Sequence, residues 1–559
     1  MSEIRTSEQR SAQWAAPLSA AAIAICLFGN LGAIGLTGPD EPRYAWIARA
    51  MAETGDWVTP RLYGQPWFEK PILYYWAAAV GFLLHLPAEW AARLPSALAA
   101  LAAATIIGWL AKKHYGGHAS SLSSPVLLAP LLFATSVAAI GFARAATPDM
   151  LFSAAIAAAM ACAATVLRRA GALRTAVAEA ESPGPRRDFW PLLLFGTFLG
   201  LAVLAKGPAA IILAGGAMAI WALATKQWRE AFRVAHPIAI AAFCLVAIPW
   251  YALCAARNPD FLRVFIWQHN FERYATPMFQ HRQPFWYFGP VVLLALLPWT
   301  VLLWPVAREG LGLWREKSWT NSPGLFLACW SVWPILFFSF SQSKLPGYIL
   351  PAVPPLAQLC AVGATRAILT GRISPRPVLA GFGLTWIVVG IAAEFAAPRG
   401  LIFVPIFGSV SVSPGLFLAM ISLAVAVLLL VAVFRAKPET VLLLGAILLA
   451  VCVEIASLRL LPAVDPAVSA RAHAEFMRND QHPDRIFTYQ LRRNWIYGLN
   501  FYFRRELPEW SPGDPMPALV LTTPAGLDQI RTLGRVSGEI EQTQPGLVYV
   551  PITPGRLSP

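Results

Sequence analysis

Two short stretches gather the residue types that chemistry on a charged substrate needs. Asp40-Glu41-Pro42-Arg43-Tyr44 follows the first long apolar run, and Phe68-Glu69-Lys70-Pro71 answers it about thirty residues later. Both set carboxylates, cations and aromatic rings beside hydrocarbon, where ionisable groups are costly and mark functional sites by default. Arg144 and Asp149, Lys206, His269 with Glu272 and Arg273, and Lys344 with Tyr348 occupy similar places at the ends of later apolar runs. Acids, cations and one histidine converging at a single membrane level would serve a reaction on a lipid-borne anion.

The elements that must bring these residues together are helical and membrane-spanning. The chain of 559 residues is 57% hydrophobic and 13% charged, against about 25% charged in soluble domains. With repeated apolar runs near twenty residues, that composition predicts a polytopic α-helical membrane protein. The formal charge of +14 is no nucleic-acid signal; most cations sit in short loops between apolar runs, where they set orientation. All seven cysteines lie inside apolar runs, so they read as packing residues rather than a disulfide frame or a thiolate metal site.

Thirteen spans are expected, near 15–36, 90–111, 125–142, 150–168, 189–205, 208–224, 235–255, 285–306, 323–341, 347–366, 376–396, 413–434 and 438–458. The apolar stretch 71–85 reaches only about 22 Å at ~1.5 Å per residue, short of a core of roughly 30 Å. It is expected to lie along the interface, a depth that suits Tyr74, Tyr75 and Trp76. With Arg5 and Arg10 inside, cations such as Arg168, Arg169, Arg229, Arg233, Arg308 and Arg435 all fall in cytoplasmic loops. The chemistry-bearing residues then fall outside, in or beside a first outer loop at 37–89 and another at 256–284. A transmembrane domain over 1–461 precedes residues 462–559. There short β-type runs (485–490, 518–522, 546–551) alternate with helical patterns, predicting a small extracytoplasmic α/β domain.

The order of the motifs carries a resemblance. D-E-P-R-Y-A-x-I-A-R-x-M from Asp40 and G-D-W-V-T-P-R-L-Y-G-x-P-W-F-E-K-P from Gly55 come first. R-x-x-x-P-D-M-L-F from Arg144, L-A-K-G-P around Lys206, H-N-F-x-R from His269 and S-K-L-P-x-Y-I-L-P from Ser343 follow. Over roughly residues 15–370 the chain resembles the bacterial C-type glycosyltransferases of the lipid A aminoarabinose transferase family, and more distantly the protein O-mannosyltransferases. Tyr497 to Tyr502 resembles a segment of that family's terminal domain, whereas Ile72 stands where the family commonly has a second proline. The resemblance implies a sugar on a polyprenyl phosphate, transferred with inversion to an acceptor (lipid A, another glycolipid, a glycan or a protein). The site would lie at the outer face of the bacterial inner membrane, among membrane lipids.

A polyprenyl phosphate leaves readily, so such a site must supply a base for the acceptor hydroxyl and positive charge for the departing phosphate. Asp40 is the candidate base. Arg43, Lys70, Lys206, Lys344 and Arg273 are candidate phosphate partners, with Tyr348 as a hydrogen-bond donor to the same group. Glu41, Tyr63, Trp67, Phe68 and Asp149 are candidates to meet acceptor or sugar. Glu69 and His269, with Asp149, make an O/N set that could hold a divalent cation; spacing leaves open whether one binds or Glu69 orients the acceptor or a lysine. Plainer roles compete: Arg93 reads as a cation reaching for headgroups, and Asp149 as an acid at a helix start. A flippase or transporter of the same lipid is the alternative function, but it would favour midplane charges and inverted repeats. The sequence shows neither.

Overall fold

The computed structural model describes residues 2–117, 123–173, 185–276, 282–370, 373–396, 404–407, 410–479, 485–515, 517–532 and 546–552. The stretch 277–281 of the second outer loop lies outside them. Among the described residues, eight helices are long and apolar enough to cross a membrane, or ten if two bent pairs each count as one span. The bent pairs are Pro125–Ala134 with Val137–Ala143, at 59°, and Phe285–Ala295 with Trp299–Arg315, at 105°. Each of the other expected spans is also helical, but Trp14–Phe28, Ala209–Thr225 and Pro323–Ser339 are shorter. Leu73–Leu83 is a separate short helix, as the length of the 71–85 run required.

Small residues let these helices pack closely. Asp149–Arg169 buries an almost unbroken series of alanines, so neighbouring backbones approach without a greasy seam, the usual solution in hydrocarbon. Its two ends differ in kind. Asp149 opens one end, whereas Arg169 at the other pairs with Asp188 at 3.4 Å. At that second end Arg366 pairs with Glu309 and lies 5.9 Å from the Tyr115 ring.

The first outer loop is a folded body. Gly38, at φ +65°, turns the chain into the helix Asp40–Thr54, whose first turn carries Asp40 and Glu41, favourable to the helix dipole. Gly55 closes it in the left-handed region, its N–H donating to Met51 O, a common C-terminal stop. A hairpin follows, Arg61–Leu62 paired with Gln65–Pro66. Its two turn residues, Tyr63 and Gly64, both have positive φ, as a type I′ turn demands. This turn sends Trp67 to Lys70 back over the Asp40 helix.

Beneath the loop lies an apolar cluster of Tyr44, Phe68, Tyr74, Tyr75, Trp250 and Phe261 that also takes in Phe501. Tyr74 and Tyr75 are therefore buried rather than anchored in headgroups as expected: Tyr74 gives its hydroxyl to Ala92 O at 2.7 Å, and both rings meet Tyr44 edge-on. The expected loop at 256–284 is also largely helical, with Arg263–Glu272 wound as a π-helix, a form common at functional sites.

The C-terminal residues build a three-stranded sheet. Ile486–Thr488 pairs parallel with Ala518–Thr522, which pairs antiparallel with Val548–Ile552. The helices Arg471–Asn479, Arg493–Phe503 and Pro524–Thr532 accompany it. Arg493–Phe503 packs on the Asp40 helix: Arg49 donates to Phe501 O at 3.0 Å and stands 4.2 Å from the Phe501 ring. Tyr502 donates to Glu89 at 2.7 Å and accepts from Leu36 N at 2.8 Å.

Candidate active site

At the end of the bundle that carries the first outer loop, one carboxylate gathers three cations. Glu69 Oε2 lies 2.8 Å from Arg43 Nη2, while its Oε1 lies 3.5 Å from Lys70 Nζ and 3.8 Å from Arg273 Nη1. Burial alone would raise its pKa, but Lys70, Arg43 and Arg273 outweigh that and hold it down at about 2. Arg43 Nη2 also reaches Asp40 Oδ1 at 2.5 Å, so one guanidinium joins two acids from different segments. Asp40 leaves 51% of its side chain open. Burial pushes its pKa up, Arg43 opposes this and Glu69 adds to it. A carboxylate in that state is a stronger base than an ordinary one.

Lys206 ends its helix, and Gly207 turns the chain at φ +94°. A side chain on Gly207 would also press within 3.0 Å of Phe265 and 3.1 Å of Asn270 Oδ1. Lys206 pairs with Asp149, and its Nζ stands 5.0 Å from the Tyr348 ring centroid. Gly347 lets Tyr348 in: a Cβ there would lie 2.6 Å from Phe142 and 3.2 Å from Asp149 Oδ1. The Tyr348 hydroxyl is hydrogen-bonded to Arg273. Together Lys70, Lys206, His269, Arg273, Glu69 and Tyr348 line one cavity of about 290 Å³ whose remaining wall is largely apolar, including Phe152, Ile212, Phe337 and Phe338. A second cleft, about 520 Å³, lies on the loop side and is lined by Trp67, Phe68, Asn258 and Asp260. Both spaces share Glu69 and His269, while Asp40 and Arg43 stand behind Glu69 and are in neither lining. Burial, aided by Lys70, Arg273 and Arg43, drives the His269 pKa down to about 4, so the ring is neutral near pH 7.

Other expected residues stand elsewhere. Glu41 is buried and fully occupied: it takes Arg93 at 2.7 and 3.1 Å, Thr37 N at 2.7 Å and Ala146 N at 2.7 Å. It holds the loop to the bundle and meets neither cavity. Arg93 accordingly is no headgroup cation. It is 2% exposed and also donates to the carbonyls of Leu31, Ile34 and Gly35. Lys344 is absent from the cavity lining, because its Nζ donates to Ser341 O at 2.6 Å and Gln283 O at 3.0 Å. Arg144 is tied to Ser457 Oγ at 2.7 Å.

Tyr63 packs between Trp46 and Tyr497, and Phe68 against Phe261. Trp67 stacks on Arg43 at 5.4 Å. Asp149 opens a helix, as an acid at a helix start would, and pairs with Lys206. Among the described residues no three His, Cys, Asp or Glu gather to hold an ion. Sequence reasoning gave no functional part to Phe265, Asn270 or Tyr497. Only the folded loops bring them to Gly207 and Arg43.

A multi-pass helical membrane protein with cations and acids assembled at one end around a half-apolar chamber defines the class. Residues 13–265 match the family model for dolichyl-phosphate-mannose-protein mannosyltransferase. The undecaprenyl phosphate-alpha-4-amino-4-deoxy-L-arabinose arabinosyl transferase of Edwardsiella ictaluri is 33% identical over 66% of this chain and 63% of its own. Its Erwinia tasmaniensis counterpart is 32% identical over 67% and 64%. The chain thus aligns with a little under two thirds of these relatives' length. The fold matches the crystal structures of ArnT from Cupriavidus metallidurans. The undecaprenyl phosphate-bound form has a TM-score of 0.73 at 23% identity, and the apo form 0.74 at 22%; each match covers 96% of this chain and 98% of the other. In sequence the chain is similar to these arabinosyl transferases, and in fold to ArnT.

Proposed function

We propose that the chain is an inverting glycosyltransferase that moves a sugar from a polyprenyl phosphate to an acceptor at the outer face of the bacterial cytoplasmic membrane. The observation that carries this is the half-polar, half-apolar chamber. Lys70, Lys206, Arg273 and Tyr348 line it together with Phe152, Ile212, Phe337 and Phe338, a mixture that suits a phosphate at the end of a hydrocarbon chain. The relatives named for undecaprenyl phosphate-linked aminoarabinose support undecaprenyl phosphate as the carrier.

In this mechanism Asp40 takes the proton of an acceptor hydroxyl, whose oxygen attacks the anomeric carbon. The bond from that carbon to the phosphate oxygen breaks, and the phosphate leaves with its charge met by Lys70, Arg273 and Lys206, while Tyr348 donates to it. General-base and electrostatic help of this kind each contribute roughly 10²-fold or more. The acceptor, carried on lipid A, another glycolipid, a glycan or a protein, enters through the cleft beside Trp67. It meets the donor where the two spaces adjoin beside Glu69 and His269.

The same proposal takes thirteen spans through residue 461, an extracytoplasmic domain over 462–559, and both outer loops facing the periplasm. A divalent cation would rest on Glu69 and His269 alone, with Glu69 already opposed by three cations. Metal analysis of purified wild type and His269→Ala tests it, with stoichiometric metal lost in the variant as the expected result. The decisive assay supplies labelled undecaprenyl phosphate-linked sugar and lipid A to the protein in nanodiscs. Transfer by wild type and its loss in Asp40→Asn are expected; translocation of donor without transfer would sink the proposal.

A further inference from the structure

We propose that Tyr497, far along the chain in the C-terminal segment, is a positioning residue for transfer: its ring closes an aromatic cage around Arg43 and so sets where Asp40 stands relative to Glu69. The proposal rests on the glycosyltransferase reading for its chemistry, but its geometry stands independently.

The Arg43 guanidinium lies 5.3 Å from the ring centroid of Tyr44, 5.4 Å from Trp67 and 5.5 Å from Tyr497. The first two rings belong to the outer loop, and the third comes from the helix Arg493–Phe503. The Arg43 side chain is only 8% exposed, and its Nε has no hydrogen-bond acceptor among the described residues. Rings therefore provide much of the surroundings of a buried cation, the setting in which cation–π attraction is strongest. Nη2 reaches both acids, Asp40 at 2.5 Å and Glu69 at 2.8 Å. A shift of the guanidinium would thus loosen both contacts at once.

The helix that carries Tyr497 is anchored apart from the cage. Arg49 holds Phe501, and Tyr502 bridges Glu89 and Leu36. The ring of Tyr497 is consequently fixed by contacts to the same outer loop that are separate from the cage, so losing the ring need not release the helix. Without the ring, Arg43 gains room and water, and Asp40, already half open, loses the nearby charge that favours its ionised form.

The test uses the full chain in nanodiscs with undecaprenyl phosphate-linked 4-amino-4-deoxy-L-arabinose and lipid A. Tyr497→Phe keeps the ring and is expected to stay within about twofold of wild-type kcat. Tyr497→Ala, and Tyr497→Leu as the variant that preserves apolar bulk, should each lose roughly tenfold in kcat. Their acid limbs should move to higher pH. The pH dependence of carbodiimide labelling of Asp40, followed by mass spectrometry, reads the same displacement without turnover. It therefore separates failure of this proposal from failure of the assigned reaction. An unmoved labelling midpoint in both ring-free variants overturns the proposal, as does a Tyr497→Phe protein as impaired as Tyr497→Ala.

Discussion

At the scale of single residues, the site divides carboxylates by what surrounds them. Asp40 has one cation close by and a raised pKa, whereas Glu69 has three and sits near 2; the first is the stronger base of the two. Replacing Asp40 with Asn should therefore cost at least about 10²-fold in kcat, measured by transfer from labelled donor. Wild-type activity should fall away on acidification at a pH above the ordinary carboxylate range. Stability follows the opposite sense for Glu69. Its folded pKa is below the unfolded value near 4.5, so its contribution is complete above that pH and fades as pH drops toward 2. His269, depressed from 6.5 to about 4, loses stabilisation as pH falls through that interval, because only the unfolded chain binds the proton. Thermal melts between pH 7 and pH 4 should show Tm declining in wild type, and declining less in His269→Phe. Glu41→Ala should be costly for another reason. It strands Arg93, 2% exposed, and breaking such a pair costs about 3–5 kcal/mol, readable as a large drop in Tm.

At the scale of elements, glycines decide how closely the helices carrying the site approach. Gly207 combines positive φ with Phe265 and Asn270 close behind it. Gly207→Ala should lower Tm and weaken undecaprenyl phosphate binding by displacing Lys206. Such a requirement was written in the sequence as Lys-Gly-Pro, yet its partners on the π-helix lay more than fifty residues away. What could be read early was whatever local pattern dictates: the apolar runs, the 71–85 stretch too short to cross, and the three β-type runs. Charge beside hydrocarbon made Glu69, Lys70, Lys206, His269 and Arg273 conspicuous in the sequence, and the fold brings these five around one cavity. Glu41 and Lys344 misled for the same reason, and Arg93, read as a headgroup cation, is Glu41's buried partner. A buried ion pair and a lysine spent on backbone carbonyls look identical to a substrate site until partners are known. Tyr497 was invisible as a contributor, since a tyrosine far along the chain carries no sign of an arginine near the start.

At the scale of the whole molecule, the C-terminal part is structurally continuous with the first outer loop. Phe501 belongs to the loop's apolar cluster. Arg471 meets both Asp465 at 2.9 Å and Glu89 at 3.6 Å, and Gly35 N donates to Asp465 at 2.7 Å. Chains truncated after residue 461 should therefore lose the loop's ordering along with the sheet, visible as early proteolysis between 37 and 89. The two spaces that meet at Glu69 and His269 have a kinetic corollary. Under the proposed direct displacement the acceptor oxygen attacks the donor's anomeric carbon where the spaces meet, so both substrates must be aboard before any bond is made. Initial rates measured against each substrate at several fixed levels of the other should give intersecting reciprocal lines, with no sugar left attached to the protein between turnovers.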